Sequence, residues 1–308
     1  MKLLFKLVLF ASVFLRQPSA WAWNGSGHMT IGAIAYQELK QTDPIAAERV
    51  IEILQANPEF ETLWKYKLAK VDTAEREQLL FMLAATWSDD IRQDDRYDHP
   101  KWHYINLPYR PNSEPDSVTT NEPDSKNILT ALAQNLDILT SDADLEEQSI
   151  ALCWIFHLVG DVHQPLHTTA LFTEKFPQGD RGGTQFYIKV KPENQTTISL
   201  HRFWDELLGS STDDRTIRDR ATRLRLVYDL SRDDLPKIQK IDFDNWAKVE
   251  SFTLAKHIAY LNGNLLGSTD EDDGAILPPD YSDRAIIVAQ KQVILAGYRL
   301  AKLLEQLY

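Results

Sequence analysis

His157-Leu-Val-Gly160-Asp161-Val-His163-Gln164-Pro165-Leu-His167 sets four ionisable side chains into one of the most apolar stretches of the chain. Just before it, Ile150-Ala-Leu-Cys153-Trp154-Ile-Phe156 is apolar at almost every position. From Leu145 to Val159 the apolar residues recur at i, i+3 and i+4, which predicts a helix buried on most of its faces. An imidazole and a carboxylate buried there without partners would cost on the order of several kcal/mol. The run therefore calls for something in the core to satisfy them. Gly160 lets another group approach the helix closely, and Pro165 stops the helix so that His167 can turn back toward the same centre.

The same helical spacing recurs in Thr30 to Leu39, Ile45 to Gln55, Ala74 to Thr86, Ile128 to Leu139, Ile217 to Leu230, Trp246 to Leu261 and Asp283 to Leu307. Asp43-Pro44 and Ser282-Asp283 have the composition of helix starts. One strand pair stands out, Thr184 to Val190 with Thr196 to Leu200, joined by a turn over Lys191-Pro-Glu-Asn-Gln195. Residues 108–123, rich in Pro, Asn, Ser and Thr, predict a long surface loop. No low-complexity linker or fixed repeat divides the chain. The expected fold is mainly α, a single helical domain with a small β-hairpin.

The first residues carry Lys2 and Lys6, an apolar run from Leu7 to Leu15, and the small-x-small pattern Ala20-Trp-Ala22. This is the grammar of an export leader over residues 1–22, cut after Ala22 to leave a domain of residues 23–308 that is secreted or periplasmic. The leader holds three cations (Lys2, Lys6, Arg16) and no acid, so its loss moves the formal charge from −12 to −15. A chain that acidic has no basic surface with which to hold a polyanion. The acidic run Asp270-Glu-Asp-Asp273 reads as a solvated loop. The single cysteine, Cys153, can close no internal disulfide and reads as a small buried apolar residue.

Two segments place His and Asp four residues apart: His157 with Asp161, and His201 with Asp205 in Leu200-His-Arg-Phe-Trp-Asp205. At 3.6 residues per turn both members leave one helical face about 5–6 Å apart at Cβ, able to converge on one divalent cation or on two adjacent ones. A single helical His–Asp pair is an ordinary ion pair; two of them, one inside a core helix, favour metal. His163, two residues past Asp161, points off that face and reads as a core or supporting histidine. Asp89 in Trp87-Ser-Asp-Asp-Ile-Arg92, and His103 in Trp102-His-Tyr-Ile-Asn106, extend the donor inventory. The chain left by the leader would begin Trp23-Asn-Gly-Ser-Gly-His28, and a free α-amine, with a pKa near 7.7–8.0, can lose its proton to a metal.

Taken in order, Trp-x4-His, Trp-x-Asp, Trp-His-Tyr, His-x3-Asp-x-His-Gln-Pro-Leu-His and Gly-Gly followed by Leu-His-x2-Trp-Asp resemble the zinc-dependent nucleases of the S-one/P-one type. The bacterial zinc phospholipases C share that fold and metal arrangement. The resemblance runs over essentially all of residues 23–308, including Trp246-Ala-x2-Glu250-Ser251 and Ala296-Gly-x-Arg299-Leu-Ala301. It implies a phospholipase C/nuclease-like architecture holding three Zn²⁺ ions per chain. Asp89, His103 and His157 would hold the first ion, and His167, His201 and Asp205 the second. The α-amine and main-chain carbonyl of Trp23, with His28, would hold the third, and Asp161 would bridge the first and third. His99, His163 and His257 are left without a role.

The resemblance further implies a phosphodiesterase that hydrolyses single-stranded DNA and RNA to 5′-phosphate products, with 3′-nucleotidase action on nucleotides compatible with the same chemistry. Asp161 would orient the attacking water and take its proton, and Arg92 would offset charge at the phosphate; the alternative for Arg92 is an ion pair with an acid such as Asp90. Tyr104 would stack a base, and Asn106 would stand where fungal members have an aspartate on the base edge. Thr184 stands where the family often has asparagine after Gly-Gly. The disulfides of fungal and plant members are absent, which points to a bacterial-type branch. The alternatives are a phospholipase C built on the same cluster and a non-catalytic zinc-storing protein. No stable membrane association and no obligate protein partner are expected.

Overall fold

The computed structural model describes residues 23–193, 196–228, 238 and 240–308. The proposed leader, the Asn194–Gln195 tip of the hairpin and the end of the helix expected to reach Leu230 lie outside them. Helix α1 (Gly25–Thr42) starts where Asn24 accepts from the Gly27 N–H, and α2 (Pro44–Leu54) where Asp43 accepts from Ala46 N with proline in the first turn. A π-turn over Phe60–Trp64 runs into the short α3 (Lys65–Leu68); α4 spans Arg76–Asp90, α5 Ile128–Leu139 and α6 Leu145–Val162. The short α7 (Leu200–Asp205) and α8 (Asp214–Tyr228) follow. Residues 243–259 (α9) then alternate α and π turns, and α10 (Tyr281–Leu307) closes the fold.

α1, α4 and α6 form the centre, and their side chains show why. Residues 26–35 of α1, 78–88 of α4 and 151–162 of α6 are buried continuously, so these helices lack a solvent face and pack on every side. α1 lies against α4, α8 and α10, and α6 against α4 and α5. The core they share includes Trp23, Trp64, Trp87, Trp154 and Trp246, all essentially inaccessible. Cys153 sits fully buried in it, its thiol pushed up by burial and its Sγ 3.4 Å from Asn57 Nδ2, which bears out the apolar reading.

The hairpin is present but shorter than expected: β3 (Tyr187–Lys189) pairs antiparallel with β4 (Ile198–Ser199), with Ile188 opposite Ile198. It is not the only strand pairing. β5 (Ala275–Ile276) adds a parallel edge to β3, and β1 (Leu107–Tyr109) pairs parallel with β2 (Thr169–Leu171). β1 and the buried Val118 anchor the segment expected to be a plain surface loop. The last helix begins at Tyr281 after Asp280, two residues before the expected Asp283. Among the described residues, no helix is long and apolar enough to cross a membrane.

Candidate metal centre

The last turns of α4 and α6, the start of α1, the turn after Trp102, the turn after Pro165 and α7 converge on one buried cluster. Three groups of donor atoms each lie within 4.8 Å of one another: His28, Asp89 and His157; His103, His157 and Asp161; His167, His201 and Asp205. The third group matches the expected second-ion set residue for residue. The first expected set, Asp89, His103 and His157, is divided over the other two groups. His157 belongs to both, at 3.6 Å from Asp89 and 3.0 Å from His103 Nδ1. Asp161 lies between them: its Oδ1 is 3.2 Å from His28 Nε2, and its Oδ2 is 3.1 Å from His103 Nδ1 and 3.2 Å from His157 Nε2. The Oδ1 atom is also 4.0 Å from His167 Nδ1.

Backbone carbonyls select the nitrogen that each ring presents. His157 Nδ1–H donates to Ala85 O at 2.9 Å, His167 Nδ1–H to His103 O at 2.6 Å, and His201 Nδ1–H to Gly182 O at 2.6 Å. These bonds assign the tautomers and turn the Nε2 lone pairs inward. Two of them then face each other, His167 Nε2 and His201 Nε2 at 3.1 Å, while His157 Nε2 lies 3.0 Å from His103 Nδ1. Two facing lone pairs repel unless a proton or a cation lies between them. Four further buried donor atoms, His28 Nδ1 and Nε2, His103 Nε2 and Asp161 Oδ1, have no hydrogen-bond partner. An all-N/O donor set with orphaned atoms and oriented imidazoles fits a divalent transition metal such as zinc.

The electrostatics tell the same story. Burial pushes His28 down to about 4, reinforced by His157, and burial likewise lowers His103. Burial works against a charged His157 as well, yet Asp161 and Asp89 overcome it and raise His157 to about 9. Burial would raise Asp161, but His157, His167 and His103 hold it well below the usual carboxylate range. Asp205 goes the other way, pushed well up by burial and by the neighbouring Asp161 and Asp89.

Gly160 has the role its position suggests: a Cβ there would come 2.7 Å from His28 Nδ1 and 3.1 Å from Ile31 Cδ1. Gly160→Ala should cost about 1–3 kcal/mol, read as a lower urea midpoint, and should displace His28. The Gly160 carbonyl also accepts from Trp23 Nε1 at 3.1 Å, and Asn24 N donates to Asp205 O at 3.3 Å, so residues 23–24 are stitched to the cluster. Gly182 sits at φ +62° with Leu166 O only 2.3 Å from where a Cβ would stand, which frees its carbonyl for His201.

Arg92 pairs with Asp89 at 2.5 Å, and Asp90 accepts from Thr86. Tyr104 and Asn106 follow His103 as half-buried residues on the stretch leading into β1, and the Asn106 side chain makes no hydrogen bond among the described residues. His163 stays out of the cluster: it is fully buried, its Nδ1–H donates to Val159 O and its Nε2 accepts from Arg299. Gln164 had no assigned role in the sequence. Its Nε2 donates to Asp205 Oδ1 at 2.7 Å while its Oε1 accepts from Leu166 N, so it orients a candidate ligand. The carbonyls of Ala85, His103 and Gly182 left no sequence signal at all, because any residue can supply one.

A sequence profile of the family described as S1/P1 nuclease matches residues 23–308. Curated relatives include Endonuclease 4 of Arabidopsis thaliana, 24% identical over 94% of this chain and 90% of that protein. Nuclease S1 of Aspergillus oryzae is 28% identical over 72% of this chain and 77% of its own length.

Proposed function

This chain belongs to the S1/P1 nuclease family and is a hydrolytic endonuclease acting on nucleic acid, and on that premise we propose that it is a zinc phosphodiesterase cleaving single-stranded DNA and RNA to 5′-phosphate products. The observation that carries the reading is the pair of imidazole lone pairs, His167 Nε2 and His201 Nε2, facing each other at 3.1 Å, each ring turned inward by a backbone carbonyl. Asp89, His103 and His157 would hold one zinc, His167, His201 and Asp205 a second, and His28 with the Trp23 amine and carbonyl a third, with Asp161 shared between the first and third. Zinc held there supplies positive charge for the phosphate and acidifies water at neutral pH. That explains how a chain of charge −12 attracts a polyanion.

The protein's own groups do the rest. Asp161, fully buried and charged, orients the attacking water and accepts its proton. Arg92, fixed by Asp89, presents its guanidinium to the phosphate as charge develops. Tyr104 offers a ring on which any unpaired base can stack, favouring single strands, and Asn106 offers both a donor and an acceptor to the base edge. The same site accepts 3′-nucleotides. Export with a leader cut after Ala22 would supply the free Trp23 amine.

The test offers the chain beginning at Trp23 to single-stranded DNA, RNA and phosphatidylcholine in parallel, after chelation and again with zinc restored. Nucleic-acid cleavage that disappears with the chelator and returns with zinc, leaving 5′-phosphate ends, supports the reading. Cleavage of the lipid alone, or cleavage indifferent to chelation, overturns it. Gln164→Ala is expected to weaken binding of one zinc by about 10–100-fold through loss of its hold on Asp205, measured by competition with a zinc-binding dye.

A further inference from the structure

Two motifs near the C-terminus have no part in the chemistry above: Trp246-Ala-x2-Glu250-Ser251 on α9 and Arg299 on α10. Both converge on the end of α6, between Asp161 and His167. Arg299 Nη1 donates to His163 Nε2 at 2.8 Å and pairs with Glu250 at 2.8 Å, and its guanidinium lies 4.6 Å from the Trp246 ring centre. Ser251 Oγ donates to Val162 O at 2.6 Å, and Gln292 Nε2 donates to His163 O at 3.1 Å.

Helix ends leave their last carbonyls without partners inside the helix. Here each carbonyl from Val159 to His163 is taken. Val159 O accepts from His163 Nδ1–H, Gly160 O from Trp23 Nε1 and His163 N, Asp161 O from Gln164 N, Val162 O from Ser251, and His163 O from Gln292. The partners come from four separate parts of the chain. Arg299 also brings a cation to the negative end of the helix dipole, where it is favoured. A buried Arg–Glu pair adds little net stability but constrains geometry, because either charge left alone is costly.

We infer that Arg299 and Glu250, acting through His163, are positioning residues that fix the end of α6 and so set the separation between Asp161 and the His167–His201–Asp205 group. Gln164, which holds Asp205, is the residue next to His163, so any slip of this turn passes directly to that group. The inference rests on the zinc reading for its catalytic consequence, but the structural clamp stands without it.

The test compares Glu250→Gln/Arg299→Met, which removes both charges together, with His163→Gln, whose amide can still donate to Val159 O and accept from Arg299. Amide exchange is followed in the metal-free chain. The double variant is expected to speed exchange at residues 162–167 by at least about tenfold while α5 stays unchanged. In the zinc-loaded enzyme it is expected to lower kcat about 10–100-fold with KM within about twofold, and to weaken one zinc by a similar factor. His163→Gln should retain most of both. A lower urea midpoint with unchanged local exchange, zinc affinity and kcat would make the network merely structural and overturn the inference. If the parent chain takes up no zinc, the zinc reading falls, and the exchange result still decides the clamp.

Discussion

Replacing Asp161 with asparagine is expected to lower nucleic-acid cleavage by about 10³–10⁴-fold and to reduce the bound zinc. The side chain keeps its shape, so the loss isolates the charge and the second anionic oxygen. Asp161 reaches both halves of the cluster: it lies within 3.2 Å of His28, His103 and His157, and 4.0 Å from His167. As the proposed proton acceptor and shared ligand it carries two roles, and an amide fulfils neither, since it stays neutral at any working pH. In activation terms a 10⁴-fold loss is about 5.5 kcal/mol. Zinc content by atomic absorption and kcat on a short single-stranded DNA read the outcome, with a urea midpoint to show that the variant folds. Parent-like kcat with a full zinc complement would remove Asp161 from the mechanism.

The second large effect lies at the other end of the cluster. Adding one residue before Trp23 is expected to lower activity by about 100-fold or more and to reduce the zinc content from three to two. Trp23 is fully buried, with its indole fixed to Gly160 O and the next backbone N–H to Asp205 O, so its main chain is held in place. An α-amine with a pKa near 7.7–8.0 can shed its proton and donate a lone pair; the same nitrogen in a peptide bond cannot. The comparison uses two chains that differ only in that residue. Three zincs and full activity in the longer chain would show that the terminal amine is not a ligand.

Much of this was legible in the sequence, and the reasons differ by element. α5 has the bounds its apolar spacing predicts, because that spacing and the Asn127 capping box coincide. The apolar spacing predicts that α4 ends at Thr86, because Ser88-Asp-Asp90 interrupts that spacing, but the helix runs four residues further. Packing against α1 and α6 carries the helix on and places Asp89 in its last turn. The parallel β1–β2 pair joins residues about sixty positions apart over three residues each, too short for any period and too distant for local signals. In the cluster, the side chains were visible through their spacing, and Gly160 through its isolation in an apolar helix. The regrouping of His28 with Asp89 and His157 was not visible, since it depends on how α1 crosses α6 at Gly160. Arg299 and Glu250 were seen as motifs but not as neighbours of His163, because α9 and α10 return to that turn only in three dimensions.

The donors that converge in the cluster come from residues 28, 89, 103, 157, 161, 167, 201 and 205, while the only cysteine is fully buried in the core. Each ion held there would tie together segments far apart along the chain, restricting the unfolded ensemble as a covalent cross-link does. Unlike a covalent cross-link, this tie follows mass action, and resistance to heat and to proteases would grow with free zinc. The lifetime of the enzyme in its surroundings would then be written by the medium: durable where zinc is plentiful, and cleared where it is scarce.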